Sequence, residues 1–412
     1  MDLDISKVKK IFFIGIGGIG ISALAKMALS RGIEVSGVND EEGKTIESLE
    51  AAGIQVVLQK DFKELPEADM YVYSDAWLYR GPEILAEAKT RGVPVLSYFE
   101  ALGIFAKEYK VIAIAGTHGK TTTTAMVAGI LIDAGIDPTV VVGSFVKNFG
   151  SNFRSGKSEY LVVEADEYNR HFLNFNPFIT VITNIEADHL DCYKDLADIK
   201  SVFLELENQS KNVIKDYSKY LDKVPKLLVP GVHNRQNAAV ALAVADFLSV
   251  DLEVAQRSLS TFAGTWRRLE KLGQTPEGTI VYDDYAHHPT EVRASLQALR
   301  ELYPYKQITI LFQPHLYSRT KAFFEDFAKC FKGADRVLLL PIYFAREDKD
   351  ESVSSEKLAE AIGATGQKAQ AYASFESAEA GVLALNLGKN DVLVTMGAGE
   401  AYKVAAKIWK LV

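Results

Sequence analysis

The sequence predicts an α/β protein of three domains, each built on a mostly parallel sheet, and three observations carry that expectation. Short apolar runs rich in β-branched residues alternate with stretches of helical spacing along the whole chain, the pattern of repeated β-α-β units. Glycine-rich turns follow the opening strands of the first third and of the middle. Polar residues gather wherever a strand gives way to a helix, which is where ligands lie in such sheets. A chain of 412 residues is long enough for two or three cores. The limits expected are 1–108, 109–264 and 265–412, with Thr261-Phe262-Ala263-Gly264 as the last joint.

Composition bounds the function. A chain 48% hydrophobic and 24% charged is an ordinary globular composition. A net charge of −8 argues against nucleic acid as the main partner, so any phosphate-bearing ligand must be held by local positive sites. No apolar run approaches the roughly 20 residues of a membrane span, and the start MDLDISKVKK lacks a signal-peptide core. Cys192 and Cys330 cannot form a disulfide framework and lack metal-ligand spacing; free thiols in a reducing cytoplasm are expected.

The first third opens with a strand, Lys10 to Ile14, then Gly15-Ile16-Gly17-Gly18-Ile19-Gly20 and a helical pattern through Leu29. Ile33 to Val38 is a second strand ending at Asn39-Asp40. A G-x-G-x-x-G turn with an acidic residue about 20 positions on is the Rossmann-like fingerprint. Its glycines bring backbone close to a pyrophosphate without saying whether the ligand is a nicotinamide or flavin cofactor or another nucleotide diphosphate. Ile54 to Leu58, Met70 to Tyr73 and Val93 to Leu96 continue as strands. Ser74-Asp75-Ala76, at the end of one of these, reads equally as a ligand contact or as a capped loop.

The middle is organised around Val111 to Thr124, V-I-A-I-A-G-T-H-G-K-T-T-T-T. Val111 to Ala115 form a buried strand, Gly116-Thr117-His118-Gly119 break it, and Thr121 to Ala134 resume with helical spacing. The strict G-x-x-x-x-G-K-[ST] pattern is absent, because position 114 is Ile and the loop G-x-x-G-K-T is two residues shorter. The physics is nonetheless that of a phosphate loop: a helix start for the anion, Lys120 as a point charge, and a Thr121 hydroxyl suited to Mg²⁺. Tyr160 to Ala165 is a strand running into Glu164-Ala165-Asp166-Glu167, either oxygen ligands for Mg²⁺ or a solvated acidic loop. After the strand Ile179 to Ile182, the stretch Thr183 to Asp191 sets His189 among acids and amides, which suits a second metal position or a clamp on a substrate carboxylate. Lys194 to Lys226 reads as charged and helical. The turn before Asn237 then starts a long helix to about Leu248, with Asn234 as a possible cap and Asn237 placed to reach a base.

In the last third Trp266-Arg267-Arg268 follows the joint, and paired arginines are either solvated or available to a developing phosphoryl charge. Ile280 to Asp283, Gln307 to Phe312, Arg336 to Pro341 and Asp391 to Thr395 read as strands, and Pro289-Thr290 with Glu291 start a helix to about Leu302. The polar stretches Asp284 to Glu291 and Gln313 to Thr320 both follow strand ends.

Seven motifs together resemble the Mur ligase family. They are G-I-G-G-I-G, A-G-T-H-G-K-T-T-T, E-A-D-E-Y, T-N-I-E-A-D-H-L-D, G-x-H-N-x-x-N-A, D-D-Y-A-H-H-P-T-E and F-Q-P-H-x-Y-S-R-T, in family order across nearly the whole chain. The resemblance implies a Rossmann-like N-terminal domain, a central P-loop ATPase-like domain and a Rossmann-like C-terminal domain. It is strongest to the branch that couples L-alanine to the lactyl carboxylate of UDP-N-acetylmuramate through an acyl phosphate, a step in peptidoglycan precursor synthesis. ATP and Mg²⁺ are the implied cofactors. Gly15, Gly17, Gly18, Gly20, Ser74 and Asn184 would hold the sugar nucleotide. Gly116, Thr117, His118, Gly119, Lys120, Thr121, Thr122, Asn234 and Asn237 would hold ATP, and Thr121, Glu164 and His189 the metal. Lys120, Glu164, His189 and Arg268 would be catalytic, while Tyr285, His287, His315 and Arg319 would line the amino-acid pocket, with Arg319 on the substrate carboxylate. A cytoplasmic monomer or homodimer that closes on its nucleotides is expected.

The chain departs from the family where Leu316 stands for a common Arg and Leu269 for a common Phe, and the region from Asp191 to Gly231 is short. Some sister ligases carry a carbamylated lysine there; neither Lys194 nor Lys200 is assigned that role. The competing readings are a murein tripeptide ligase of the same family, a dehydrogenase using Gly15 to Gly20, and a non-catalytic nucleotide-binding scaffold.

Overall fold

The computed structural model describes residues 3–344 and 347–410. Among them the architecture is three-domain α/β, one mostly parallel sheet to each domain. The first sheet comprises β1 (Lys10–Ile14), β2 (Glu34–Asn39), β3 (Gln55–Leu58), β4 (Met70–Tyr73) and β5 (Val95–Ser97), all parallel in the order β3-β2-β1-β4-β5. The order reverses between β1 and β4, so the loops after those two strands flank the crevice that a doubly wound sheet offers a ligand. Helix α1 (Ile19–Ser30) follows β1 directly, and α2 (Tyr98–Ala106) follows β5 with a Ser97/Glu100 capping box.

The second sheet takes β6 (Lys110–Ala115), β7 (Thr139–Val146), β8 (Ser151–Arg154), β9 (Tyr160–Glu164), β10 (Ile179–Ile182) and β11 (Val213–Ile214). Its order is β11-β10-β6-β9-β7-β8, parallel except where β8 turns back against β7. Central β6 carries Val111 to Ala115 fully buried, as a strand covered on both faces requires. Helix α3 (Lys120–Asp133) springs from its carboxyl end.

The third sheet comprises β12 (Glu270–Gln274), β13 (Ile280–Asp284), β14 (Gln307–Phe312), β15 (Arg336–Leu339), β16 (Ala369–Ala371) and β17 (Asp391–Met396), in the order β12-β13-β17-β14-β15-β16. Only β12 is antiparallel. The two-residue strand period divides its core: Ile308, Ile310 and Phe312 pack with Phe327, Phe331 and Leu358, whereas Leu311, Leu338 and Leu393 pack with Val404 on the other face.

By contact the chain gathers into two compact units. The first holds the residues up to Glu186 with Leu196–Lys226 and Asn237–Ala263; the second holds Ala187–Asp195, Leu227–Gln236 and the chain from Gly264 on. The charged region from Lys194 is helical only over Leu196–Gln209. It then breaks into β11 and a 3₁₀ turn, Ser218–Lys223, because Lys211 and Asn212 donate hydrogen bonds to the carbonyls of Pro177 and Phe178 and bring the backbone alongside β10. Helix α4 (Val232–Phe247) starts before Asn234, so that residue lies inside the first turn rather than capping it; its amide donates to the Pro230 carbonyl at 2.7 Å. No helix among the described residues is long and apolar enough to cross a membrane.

Candidate functional site

The phosphate loop is shaped by what surrounds its glycines. Gly116 has φ 129° and Gly119 φ 82°, conformations that favour a residue without Cβ. A Cβ on Gly116 would also come within 2.1 Å of Thr183 Oγ1, and one on Gly119 within 2.3 Å of the Asn237 side-chain oxygen. The loop therefore turns tightly and delivers α3 with Lys120 as its first residue. The leading N–H groups of that helix have no acceptor within it, which leaves an anion-seeking end beside the lysine.

Lys120 is half-buried, and its ammonium donates to the carbonyls of Gly116 (2.6 Å) and Thr117 (3.2 Å) and to both oxygens of Glu167 (2.7 and 3.0 Å). Burial pulls its pKa down, but Glu167, Asp166 and Glu164 outweigh this and hold it above the usual lysine value. Thr121 donates to Glu164 Oε1 at 2.9 Å, and the other Glu164 oxygen accepts the Gly143 N–H at 2.8 Å. A hydroxyl and a carboxylate side by side, each with lone pairs, form a hard-oxygen pair of the kind Mg²⁺ prefers. Of the three carboxylates at the end of β9 and just beyond it, Glu164 takes the threonine and Glu167 the lysine, an apportioning invisible in the sequence.

The end of β10 braces the loop. Asn184 accepts the His118 N–H and donates to the His118 carbonyl, both at 3.0 Å, while Thr183 donates to the same carbonyl at 2.6 Å. The Asn184 amide is engaged at both ends by the phosphate loop. Thr117 Oγ1 accepts the Glu186 N–H at 2.9 Å, and His118 Nε2 lies 3.5 Å from the Glu186 carboxylate. Thr122, the third residue of α3, is buried.

At the first loop, packing accounts for much of the glycine pattern. A Cβ would strike the Trp77 ring from Gly15 (2.2 Å), the Asn39 amide from Gly17 (2.6 Å) and the Tyr98 ring from Gly20 (2.8 Å). Gly18 meets only Ile21 at 3.1 Å and has Ser74 Oγ at 3.8 Å, so Gly18 and Ser74 share one side of the crevice. At the end of β2, Asn39 accepts the Gly17 N–H at 3.0 Å and Asp40 is ion-paired to Arg80. The acidic residue of the dinucleotide fingerprint is thus engaged by an arginine rather than offered to a ribose.

In the second unit, Arg319 and Asp188 form a buried pair: Nε and Nη2 donate to one Asp188 oxygen at 3.2 and 3.0 Å, and Nη1 lies 3.2 Å from His315 Nδ1. Burial raises the Asp188 pKa, but Arg319 and the neighbouring histidines reverse this and hold the carboxyl well below the usual range. Arg319, expected on the substrate carboxylate, therefore has two of its donors engaged by a protein carboxylate. A cavity of about 90 Å³ opens beside the pair, lined among others by Asp188, His189, Leu190, Leu316, Arg319 and Phe323. Leu316, with φ 68° and its N–H on the Tyr343 carbonyl, supplies an apolar wall. Of the four residues expected in the amino-acid pocket, only Arg319 lines this cavity.

Loss of solvation lowers the His287 pKa to about 4, so it is neutral near pH 7; its Nδ1 donates to the Tyr285 carbonyl at 2.9 Å, leaving Nε2 an acceptor. His315 stacks on Tyr343 with 5.5 Å between centroids. Arg268 lies over the Tyr285 ring and 3.7 Å from Glu291. Its neighbour Arg267 is buried and bound to Asp283 and to the carbonyls of Gly397 and Gly399, a structural clamp. Leu269 is buried at φ 45°, with its N–H on Asp284. Lys120, Thr121, Glu164 and Asn237 belong to the first unit, and His189, Arg268 and Asn234 to the second. Sequence reasoning missed Glu167, Asp188 and Asn39 as partners; the first two stand next to residues it did single out.

Three family models match the chain in succession: the Mur ligase family catalytic domain over 10–110, the Mur ligase middle domain over 114–224, and the Mur ligase glutamate ligase domain over 267–399. The UDP-N-acetylmuramate–L-alanine ligase of Desulfosudis oleivorans is 37% identical, the match covering 98% of both chains. That of Lachnospira eligens is 38% identical, with 99% of both covered. Among solved structures, the UDP-N-acetylmuramate-alanine ligase MurC of Thermotoga maritima superposes with a TM-score of 0.82 at 28% identity, covering 98% of each chain. A murein peptide ligase from Psychrobacter arcticus shares the fold at 0.69 and 22% identity, again over 98% of each.

Proposed function

This chain belongs to the Mur ligase family, and we propose that it joins L-alanine to the lactyl carboxylate of UDP-N-acetylmuramate at the expense of ATP, giving ADP, phosphate and UDP-N-acetylmuramoyl-L-alanine. The observation that carries the reading is the phosphate loop itself: Lys120 at the head of α3 with Thr121 on Glu164 at 2.9 Å. It is supported by 37% identity over 98% of a relative that bears that name.

The reaction needs no protein nucleophile. The lactyl carboxylate attacks the γ-phosphorus of ATP and ADP leaves; the alanine amine then attacks the acyl carbonyl, loses a proton, and expels phosphate. The protein's part is charge neutralisation and alignment. Lys120 moves from Glu167 to the transferred phosphoryl oxygens, and α3 presents its N–H groups to the same anion. Thr121 and Glu164 would hold Mg²⁺, which would supply charge neutralisation at the transferred phosphoryl group; His189, a residue of the second unit, is carried as a metal ligand by the family resemblance alone. Gly18 and Ser74 face the UDP diphosphate, and Arg268 the nucleotide phosphates. Neutral His287 presents an acceptor suited to the alanine ammonium. The working domains are 1–108, 109–264 and 265–412, and the site of action is the cytoplasm, where ATP and the sugar nucleotide are found.

The test is phosphate release. ATP turnover rises only when UDP-N-acetylmuramate and L-alanine are both supplied; no rise with the pair overturns the assignment. Offering the murein tripeptide in place of L-alanine, with UDP-N-acetylmuramate and ATP, separates the recycling ligase; turnover with the tripeptide and not with L-alanine would favour it. The Asp40–Arg80 pair weighs against the dehydrogenase reading.

A further inference from the structure

Among the buried ionisable side chains that the mechanism above does not use, one lies between the two nucleotide loops of the first unit. His171 is 8% exposed and comes from the 3₁₀ stretch Tyr168–Asn174 after β9. The two residues before it, Asn169 (φ 49°, ψ 31°) and Arg170 (φ 61°, ψ 20°), are both left-handed. Such backbone is strained and persists only where the surroundings enforce it. Here the surroundings aim one imidazole. Its ring stacks on Phe99 with centroids 3.8 Å apart and planes 15° off parallel. Its Nε2 lies 3.0 Å from Asp75 Oδ2, and its Nδ1 lies 3.9 Å from Asp166 Oδ2.

Each partner belongs to a different ligand loop. Asp75 follows Ser74, whose hydroxyl faces Gly18 of the first loop. Asp166 stands between Glu164, bound to Thr121, and Glu167, bound to Lys120. Phe99 lies in the first turn of α2 next to Tyr98, the ring that closes on Gly20. The α2 helix also fits tightly against the His171 segment, since a Cβ on Gly103 would lie 2.7 Å from the Asn174 carbonyl oxygen. Burial opposes protonation of His171, but Asp166 and Asp75 together raise its pKa to about 9, so the ring is cationic at neutral pH.

We propose that His171 is a positioning residue that ties the Ser74–Asp75 turn to the acidic segment beside the phosphate loop, fixing the sugar-nucleotide crevice at the distance from Lys120 that phosphoryl transfer requires. This rests on the ligase reading. A substrate that bridges a diphosphate site and a γ-phosphate needs the two loops held in register, and misplacement by about 1 Å costs about 10²-fold in such reactions. The His171–Asp75 contact is the charged tie between them that the catalytic residues do not themselves make.

The experiment uses the full chain and compares wild type, His171→Phe, Asp75→Asn and the double variant. His171→Phe keeps a ring on Phe99 and removes the charge; Asp75→Asn acts from the partly exposed side and leaves the His171 segment untouched. Expected are a rise in Kd for UDP-N-acetylmuramate of about tenfold in each single variant, no further rise in the double variant, and a KM for ATP within about twofold of wild type. The proposal is overturned by unchanged sugar-nucleotide affinity in Asp75→Asn, by effects that multiply in the double variant, or by equal losses for every substrate, which a merely structural role would give. Calorimetry without ATP or alanine keeps the two readings apart. Wild type that fails to bind the sugar nucleotide sinks the ligase assignment, whereas wild type and variants that bind equally sink only the role of His171.

Discussion

At the scale of single residues the account turns on Lys120 and the carboxylate that holds it. Replacing Lys120 with Ala removes the charge meant for the transferring phosphoryl group and lowers kcat by about 10²–10³-fold, the usual loss for one preorganised electrostatic contact. The same change removes the ammonium that Glu167, 3% exposed, accepts from, and losing one partner of a buried ion pair costs about 3–5 kcal/mol of stability. The double variant Lys120→Ala/Glu167→Gln should therefore regain most of the stability and none of the activity, as read by urea unfolding beside phosphate release. Recovery of neither, or of both, contradicts the assignment. An analogous change in the second unit is Asp188→Asn: it leaves Arg319 buried against a weaker acceptor and should lower the unfolding midpoint while exposed-site variants such as Lys321→Ala do not. Residue chemistry was only half legible. The sequence names donors and acceptors but not the protein groups that hold them: His118 engages Asn184, and Asp188 engages Arg319.

At the scale of elements, strand-to-helix turns place the chemistry, and glycine decides their shape. Gly119→Ala must accommodate a Cβ 2.3 Å from the Asn237 side chain at φ 82°, and Gly116→Ala one 2.1 Å from Thr183. Both should weaken ATP binding by about tenfold or more while leaving UDP-N-acetylmuramate binding near wild type, because the first loop is built on a different sheet. Titration of each ligand separately checks this, and equal losses for both ligands would contradict it. Elements with strong apolar runs, β1, β4, β10 and β14 among them, were readable residue by residue, since buried parallel strands advertise themselves. The edge strands β8, β12 and β16 escaped because they are short or half-exposed and carry little apolar signal. The break after Gln209 was equally hidden, being set by hydrogen bonds to Pro177 and Phe178, more than thirty residues upstream.

At the scale of the whole molecule, stability should record His171 and His287 with opposite signs. His171 has a folded pKa of about 9 against about 6.5 when unfolded, so its contribution is complete below pH 6.5 and is lost as pH rises towards 9. His287 has a folded pKa of about 4, so its contribution is present above about pH 6.5 and is lost as pH falls towards 4. The gap in Tm between wild type and His171→Phe should close between pH 7 and pH 10; a constant gap would mean that the ring is held by packing alone. The three-sheet architecture was legible because each domain repeats the same alternation of strand and helix. Which distant segments each compact unit recruits, such as Ala187–Asp195 and Leu227–Gln236 in the second, was not, because local pattern carries no record of long-range contact.

The central claim is that the sugar-linked acid is activated by phosphoryl transfer before the amine arrives, and an isotope label follows that oxygen directly. With UDP-N-acetylmuramate carrying ¹⁸O in its lactyl carboxylate, each turnover with ATP and L-alanine should release phosphate that contains one labelled oxygen. Phosphate without label, formed at the same rate as the amide, would contradict the account.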